Sequence, residues 1–149
     1  MLFKLIEIVF RMENKYWVVV ACKSHVLKGV EGGFMQANHG KEAPLKRVKK
    51  GDWVLFYASK EGMDSKEPYQ KFVAMGQAQD DEITKVNMGK GFEPFRRKLK
   101  FKKSKEAEIR PLIEKLDFIK NKKSWGFIFR FGFFEIPKQD FELIAAEMK

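Results

Sequence analysis

The sequence carries one cysteine, Cys22, so no disulfide can close within the chain and a cysteine-rich zinc site is excluded. That usage suits a reducing compartment, and an intracellular, cytoplasmic protein is expected. Histidine is almost as scarce. His25 and His39 could share a metal only with a carboxylate such as Glu31 or Asp52, and no ligand spacing supports that set, so no metal or other cofactor is expected. No apolar run approaches the ~18–20 residues of a membrane span. The opening MLFKLIEIVFRMENK makes a poor signal peptide, because Lys4, Glu7 and Arg11 interrupt its apolar positions and no small-residue cleavage site follows. Residues 1–14 read as an N-terminal extension ahead of one domain at 15–149. They form either a short strand or helix over a sheet edge, or an upstream addition to the domain.

Signatures of catalysis are missing as well. There is no P-loop, no GxGxxG after a strand, no HExxH and no GxSxG. Cys22 and His25 are near in sequence, but a cysteine inside an apolar run is usually inert packing. The acids Asp80, Asp81 and Glu82 fall in a polar stretch and read as solvated. A non-catalytic protein is expected. Acidic residues are outnumbered overall, 20 against 30 Lys plus Arg, which gives a formal charge of +10. That excess suits a polyanion, either nucleic acid or an anionic membrane surface, unless it only confers solubility; with the aromatics it favours nucleic acid and no membrane.

What is abundant is apolar and aromatic. The chain is 149 residues long, 44% hydrophobic and 14% aromatic, with 15 phenylalanines, enough for one domain with a real core. Lys15–Ser24, KYWVVVACKS, is an uninterrupted apolar run rich in β-branched residues, the pattern of a strand buried on both faces. Lys23, Ser24 and His25 put hydrogen-bonding groups at its end, where small ligands usually sit. Ser24 can cap a short helix over His25–Gly29. The glycine-rich stretch Gly29–Gly40 reads as a loop in which Phe34 and Met35 either plug the core or line a pocket. Ala43–Lys50 reads as a basic helical turn, Gly51-Asp52 as a turn, Trp53–Ala58 as a buried strand, and Gln70–Gln79 as a strand with a bulge at Gly76. Asp80–Gly91 reads as a loop. In Pro94–Lys103 the period is two: Phe95, Arg97, Leu99 and Phe101 on one face, Arg96, Lys98, Lys100 and Lys102 on the other. Ile109, Leu112, Ile113 and Leu116 follow helical spacing. Trp125–Ile136 reads as a strand pair or one long strand bent at Gly132, and Pro137 opens a final helix with Phe141, Ile144, Ala145 and Met148 on one face. The expected fold class is α+β: a mixed β-barrel of five to six strands with short peripheral helices.

The basic face of Phe95–Lys102 spaces its cations about 6.5–7 Å apart, comparable to successive phosphates on an extended strand. Lysines on a solvated edge strand would look the same. Bases held outside a duplex stack on aromatic rings and are read through their edges, so rings near loops, chiefly Phe34, Phe92 and Trp125, are cage candidates.

Taken in order, YWVVVACKSH, GGFMQANHG, GDWVLFYAS, KFVAMGQA, PFRRKLKF and WGFIFRFGFFEIPKQDFELI resemble the EVE-domain proteins of the PUA-like superfamily, from Tyr16 onward. That family is similar in fold to YTH readers of methylated adenine in RNA and to ASCH domains. The resemblance implies a PUA-like barrel with a pocket at one end, binding modified bases in RNA or DNA without catalysis. Lys23, Ser24 and His25 match the Lys-Ser-Asn that contacts the base in YTH domains, with histidine in place of the asparagine. Phe34 matches a cage tryptophan, and Arg96-Arg97 match an arginine pair, with Phe92 and Phe95 nearby but no tryptophan. Gln36 and Asn38 are suggested as base-edge contacts. The expected base pocket is thus Trp17, Lys23, Ser24, His25, Phe34, Gln36, Asn38, Tyr57, Phe95 and Trp125. The expected phosphate contacts are Arg96, Arg97, Lys98, Lys100 and Arg130. A small-molecule binder of nucleotides or other anions in the same pocket is the alternative.

Overall fold

The computed structural model describes residues 13–149. Of the extension expected at 1–14, only Glu13 and Asn14 fall among them. β1 (Tyr16–Val20) and β3 (Trp53–Ala58) form the apolar centre of the sheet and run parallel, with Tyr16 beside Trp53 and Val20 beside Tyr57. A parallel pair needs a crossover, and here it consists of α1 (Lys23–Gly32), β2 (Phe34–Met35) and α2 (Glu42–Arg47). β4 (Lys71–Lys85), β5 (Phe95–Lys102) and β6 (Ala107–Glu108) follow. Then come two 3-10 segments, Arg110–Lys115 and Phe127–Phe131, β7 (Phe133–Ile136) and α3 (Lys138–Glu147). The strand order is β2-β5-β4-β3-β1-β7, with β6 beside β4, and every pairing except β1–β3 is antiparallel.

The α+β class is as expected, with two differences of architecture. The sheet has seven strands, and its hydrogen-bonded path runs from β2 to β7 without closing into a barrel. The extra strands, β2 and β6, are two residues each, too short to show a period in sequence.

Alternation along β1 and β3 divides the interior in two. Val18, Leu55 and Tyr57 face a core completed by Leu112, Leu116, Phe129, Phe134 and the inner side of α3. Trp17, Val19, Val54 and Phe56 face the other, filled by Val26 of α1, Met35 of β2, Leu45 of α2 and Leu99 of β5. Burying both faces is why neither strand shows polar alternation.

Local expectations fared unevenly. The helix expected at His25–Gly29 extends over Lys23–Gly32; Cys22 precedes it without a side-chain cap, and Gly33, at φ 73°, ends it. Phe34 and Met35 split the two roles offered to them: Met35 is buried and Phe34 half-buried. β4 continues through Asp80–Lys85, expected as loop, because a register shift between Ala78 and Ile83 turns the acids out of the ladder. No bulge sits at Gly76, which pairs regularly with Val54 and Phe101; a Cβ there would press on Leu99 and Phe101 at 3.3 Å. Trp125–Ile136 is not a strand throughout. Phe129 is drawn inward between Tyr57, Phe118 and Phe134, which coils Phe127–Phe131 into a 3-10 turn, and Gly132 at φ 75° redirects the chain into β7. Packing here overrides the strand preference of aromatic residues.

Candidate nucleic-acid interface

On β5 the period-two pattern decides which cations reach solvent. Met35 pairs with Arg97 and Phe34 with Lys98, so Met35 and Arg97 point inward while Phe34 and Lys98 point outward. Arg96 lies opposite Thr84 on the outward side, and Lys98, Lys100 and Lys102 are exposed on the same face. The Arg96 guanidinium lies 3.8 Å from the centroid of the Phe34 ring. It is steadied by donating from Nε to Gln36 Oε1 at 2.7 Å and from a terminal nitrogen to Met88 Sδ at 2.9 Å. Gly32 lets the Phe34 ring fold back on the end of α1, since a Cβ there would sit 2.5 Å from the ring. The result is a cleft of about 260 Å³ lined by Gly32, Gly33, Phe34, Asp80, Glu82, Thr84, Val86, Arg96 and Lys98. It offers a guanidinium–ring plate, carboxylates that accept from amino groups, and a cationic rim. Asp80, Glu82 and Thr84 were not anticipated, because the bulge that brings them to the cleft leaves no trace in the sequence.

The remaining expected residues lie elsewhere. Lys23, Ser24 and His25 begin α1, about 14 Å of helical rise from its other end at Gly32, two residues before Phe34, and none of them lines the cleft. Lys23 donates to the Tyr69 hydroxyl at 2.8 Å and pairs with Glu106 at 2.7 Å, while the Tyr69 hydroxyl donates to Glu106. The bond to Glu106, then that to Tyr69, holds Lys23 well above the usual ammonium range. Burial pushes the Glu106 carboxyl up, but the bonds from Lys23 and Tyr69 with the charges of Lys23 and Lys71 outweigh it and leave the group below the usual carboxylate range. Ser24 and His25 are exposed.

Trp125 and Arg130 belong to an aromatic shelf on the second 3-10 segment. A surface hollow of about 430 Å³ there is lined by Lys123, Ser124, Trp125, Gly126, Phe127 and Arg130. Asn38 bridges toward this shelf: its side-chain oxygen abuts Gly132.

Three expected site residues are corrected outright. Trp17 is 1% exposed, stacked on Phe133 at 4.9 Å, and donates from Nε1 to Asp52 at 3.0 Å, so no face of it is open to a base. Tyr57 is buried against Phe129 at 4.1 Å, and burial pushes its phenol well above the ordinary value. Arg97 is 1% exposed and cannot touch a phosphate. It donates from Nε and one terminal nitrogen to the Leu45 carbonyl at 3.1 and 2.8 Å, and from the other to the Asp80 carbonyl at 2.8 Å. Desolvation makes its guanidinium easier to deprotonate, against the charges of Asp81, Asp80 and Asp52. Phe95 is half-buried beneath Lys85, whose Nζ is 5.6 Å from the ring, at the far end of β5 from Lys100.

Among the described residues no helix is long and apolar enough to cross a membrane. The sequence profile of the EVE domain matches residues 15–147. A Bacillus licheniformis protein described as a UPF0310 protein in the gntR 5' region is 52% identical over 126 residues, 85% of this chain and 86% of that protein. A UPF0310 protein of Mycobacterium avium is 45% identical over 132 residues, 89% of this chain and 96% of that one. Among solved structures, the fold is shared with the YTH domain of Zygosaccharomyces rouxii MRB1, determined in complex with N6-methyladenosine RNA. The TM-score is 0.59 at 12% identity, covering 91% of this chain and 86% of that one. Rpa0253 of Rhodopseudomonas palustris aligns with a TM-score of 0.56 at 13% identity, covering 90% and 92%.

Proposed function

Because the chain belongs to the EVE-domain family, we propose that it is a non-catalytic nucleic-acid-binding module that holds a base, modified bases included, at the Phe34–Arg96 cleft. The observation that carries this reading is the guanidinium of Arg96 stacked 3.8 Å over Phe34 in a cleft rimmed by Lys98. A base has two flat π-faces, and the outer face of the Arg96 guanidinium, held flat by the Phe34 ring beneath it, is a surface on which it stacks whatever its sequence. Asp80 and Glu82 supply acceptors that tell one base edge from another, while Gln36 holds Arg96 in place. Lys98, Lys100 and Lys102 continue along the outer face of β5 and neutralise the flanking phosphates, so binding weakens as salt rises. The shared fold with a YTH domain solved with N6-methyladenosine RNA supports the same ligand class.

The test is a binding screen of modified and unmodified, single- and double-stranded oligonucleotides at two salt concentrations. Phe34→Ala, which removes the ring that holds the Arg96 guanidinium flat, should weaken binding by up to about tenfold, the worth of one stacked base, and unequally for modified and plain bases. Unchanged binding across the panel would remove Phe34 from the site. A mononucleotide that binds as tightly as an oligonucleotide would instead establish a small-molecule binder.

A further inference from the structure

The second 3-10 segment presents two phenylalanine rings to water, while most of the other described phenylalanines are buried. Phe127 and Phe131 are 58% and 62% exposed and meet edge to face at 5.9 Å between centroids. They are not loosely hung. Phe129 between them is locked against Tyr57, Phe118 and Phe134, and Trp125 abuts Phe129 edge-on at 6.2 Å. Cations accompany the rings. The Arg130 guanidinium is 5.8 Å from the Phe127 centroid and that of Arg110 is 5.5 Å from the Trp125 centroid, with Arg110 tethered by Gln70 at 3.0 Å. The hollow beside them adds Lys123 and has no carboxylate in its lining. Gly126, in the lining, has nothing within 4 Å of where a Cβ would stand, so the space beside it is free.

We propose that this shelf is a second stacking subsite, which takes unpaired bases of the same single strand whose neighbouring base occupies the Phe34–Arg96 cleft. The inference rests on the reading of that cleft. Exposed rings alternating with guanidinium groups, with no carboxylate in the hollow, match a ligand that is at once flat, aromatic and polyanionic, and a single-stranded nucleic acid is all three. The two subsites are joined by Gln36–Asn38. Gln36 holds Arg96 at one end of this segment, and two residues on, at most about 7 Å of backbone, Asn38 abuts Gly132 next to Phe131. A strand leaving the cleft therefore has a short path to the shelf. An anionic lipid surface shares the charge preference but has no use for ring stacking, which separates it experimentally.

The experiment compares wild type, Phe127→Ala/Phe131→Ala, Phe127→Leu/Phe131→Leu and Phe34→Ala. Each is titrated with single-stranded octaadenylate as RNA and DNA, with AMP, and with vesicles of phosphatidylglycerol and phosphatidylcholine. The expected result is a tenfold or greater loss of octanucleotide affinity in both shelf variants and unchanged AMP affinity. Because both rings already face water, thermal unfolding should coincide with wild type, and Phe127→Trp/Phe131→Trp should keep wild-type octanucleotide affinity. Equal octanucleotide affinity in wild type and shelf variants would overturn the shelf. Vesicle binding that survives in the leucine variant, with no octanucleotide binding by wild type, would overturn it in favour of a membrane surface. Loss in the shelf variants with none in Phe34→Ala would keep the shelf and refute the cleft.

Discussion

Arg97 and Lys98 are neighbours on β5 that face opposite sides, and the structure gives them opposite consequences. Arg97→Ala leaves the Leu45 and Asp80 carbonyls without their guanidinium partners in a region closed to water. A buried acceptor stripped of its partner costs about 1–3 kcal/mol. With the space vacated by the side chain, the total comes to about 3–5 kcal/mol, the range seen when one partner of a buried charged network is removed. A small domain has an m-value of about 1–3 kcal/mol/M in urea, so the unfolding midpoint should fall by about 2 M with little change in slope. Arg97→Lys should recover little, because one ammonium cannot reproduce a planar fork that serves two carbonyls. Lys98→Ala, on the exposed face, should shift stability by less than about 0.5 kcal/mol. It should instead lower the log–log salt slope of oligonucleotide binding by about 0.7, the contribution of one phosphate contact on a single strand. Urea titrations followed by tryptophan fluorescence and salt-dependent binding of the same two variants provide the test. An Arg97→Ala protein with an unmoved midpoint and weakened binding would show that the guanidinium faces ligand rather than α2.

Two further predictions concern buried or paired carboxylates. Asp52 is 3% exposed and accepts from the Lys15 and Lys49 backbone nitrogens and from Trp17 Nε1 at 2.9, 2.9 and 3.0 Å. Asp52→Ala should therefore lower stability by about 2–4 kcal/mol, given about 1–3 kcal/mol for each buried group left unpaired, and shift the Trp17 emission; an unchanged melting temperature would refute it. Glu106 titrates below its ordinary range when folded, so its stabilising effect is full above the unfolded value of about 4.3 and fades as pH falls through the lower folded value. Lys23, raised by the same pairing, keeps its contribution until pH climbs past about 10.4. The stability gap between wild type and Glu106→Gln should accordingly be flat near neutrality and shrink on acidification, and a gap that widens below pH 4 would contradict the assignment.

The parts of the fold that depend on local periodicity were legible in sequence. The unbroken apolar runs of Trp17–Val20 and Trp53–Ala58 announce strands covered on both sides, and the alternation of Phe95–Lys102 correctly separates inward Leu99 from outward Lys98 and Lys100. That same alternation placed Arg97 inward, and its match to an arginine pair was the misleading cue. The candidate site was less legible because it is assembled by register. Phe34 meets Arg96 only because a two-residue strand pairs with β5, and Asp80 and Glu82 reach the cleft only through a bulge. Of the shelf, Trp125 and Arg130 stand out in the sequence but Phe127 and Phe131 do not, because aromatic residues spaced two apart look like a strand, and only the inward pull of Phe129 makes them a turn.

β1 has one long-range neighbour on each side, β3 and β7, and Tyr16 pairs with Ile136 from the opposite end of the described chain. During synthesis the hydrophobic ribbon Tyr16–Val20 therefore emerges more than a hundred residues before its second neighbour exists. Nascent chains stalled before Phe133 should bind chaperones and cross-link through this ribbon, and that vulnerability should end once Phe133–Ile136 clears the ribosomal tunnel.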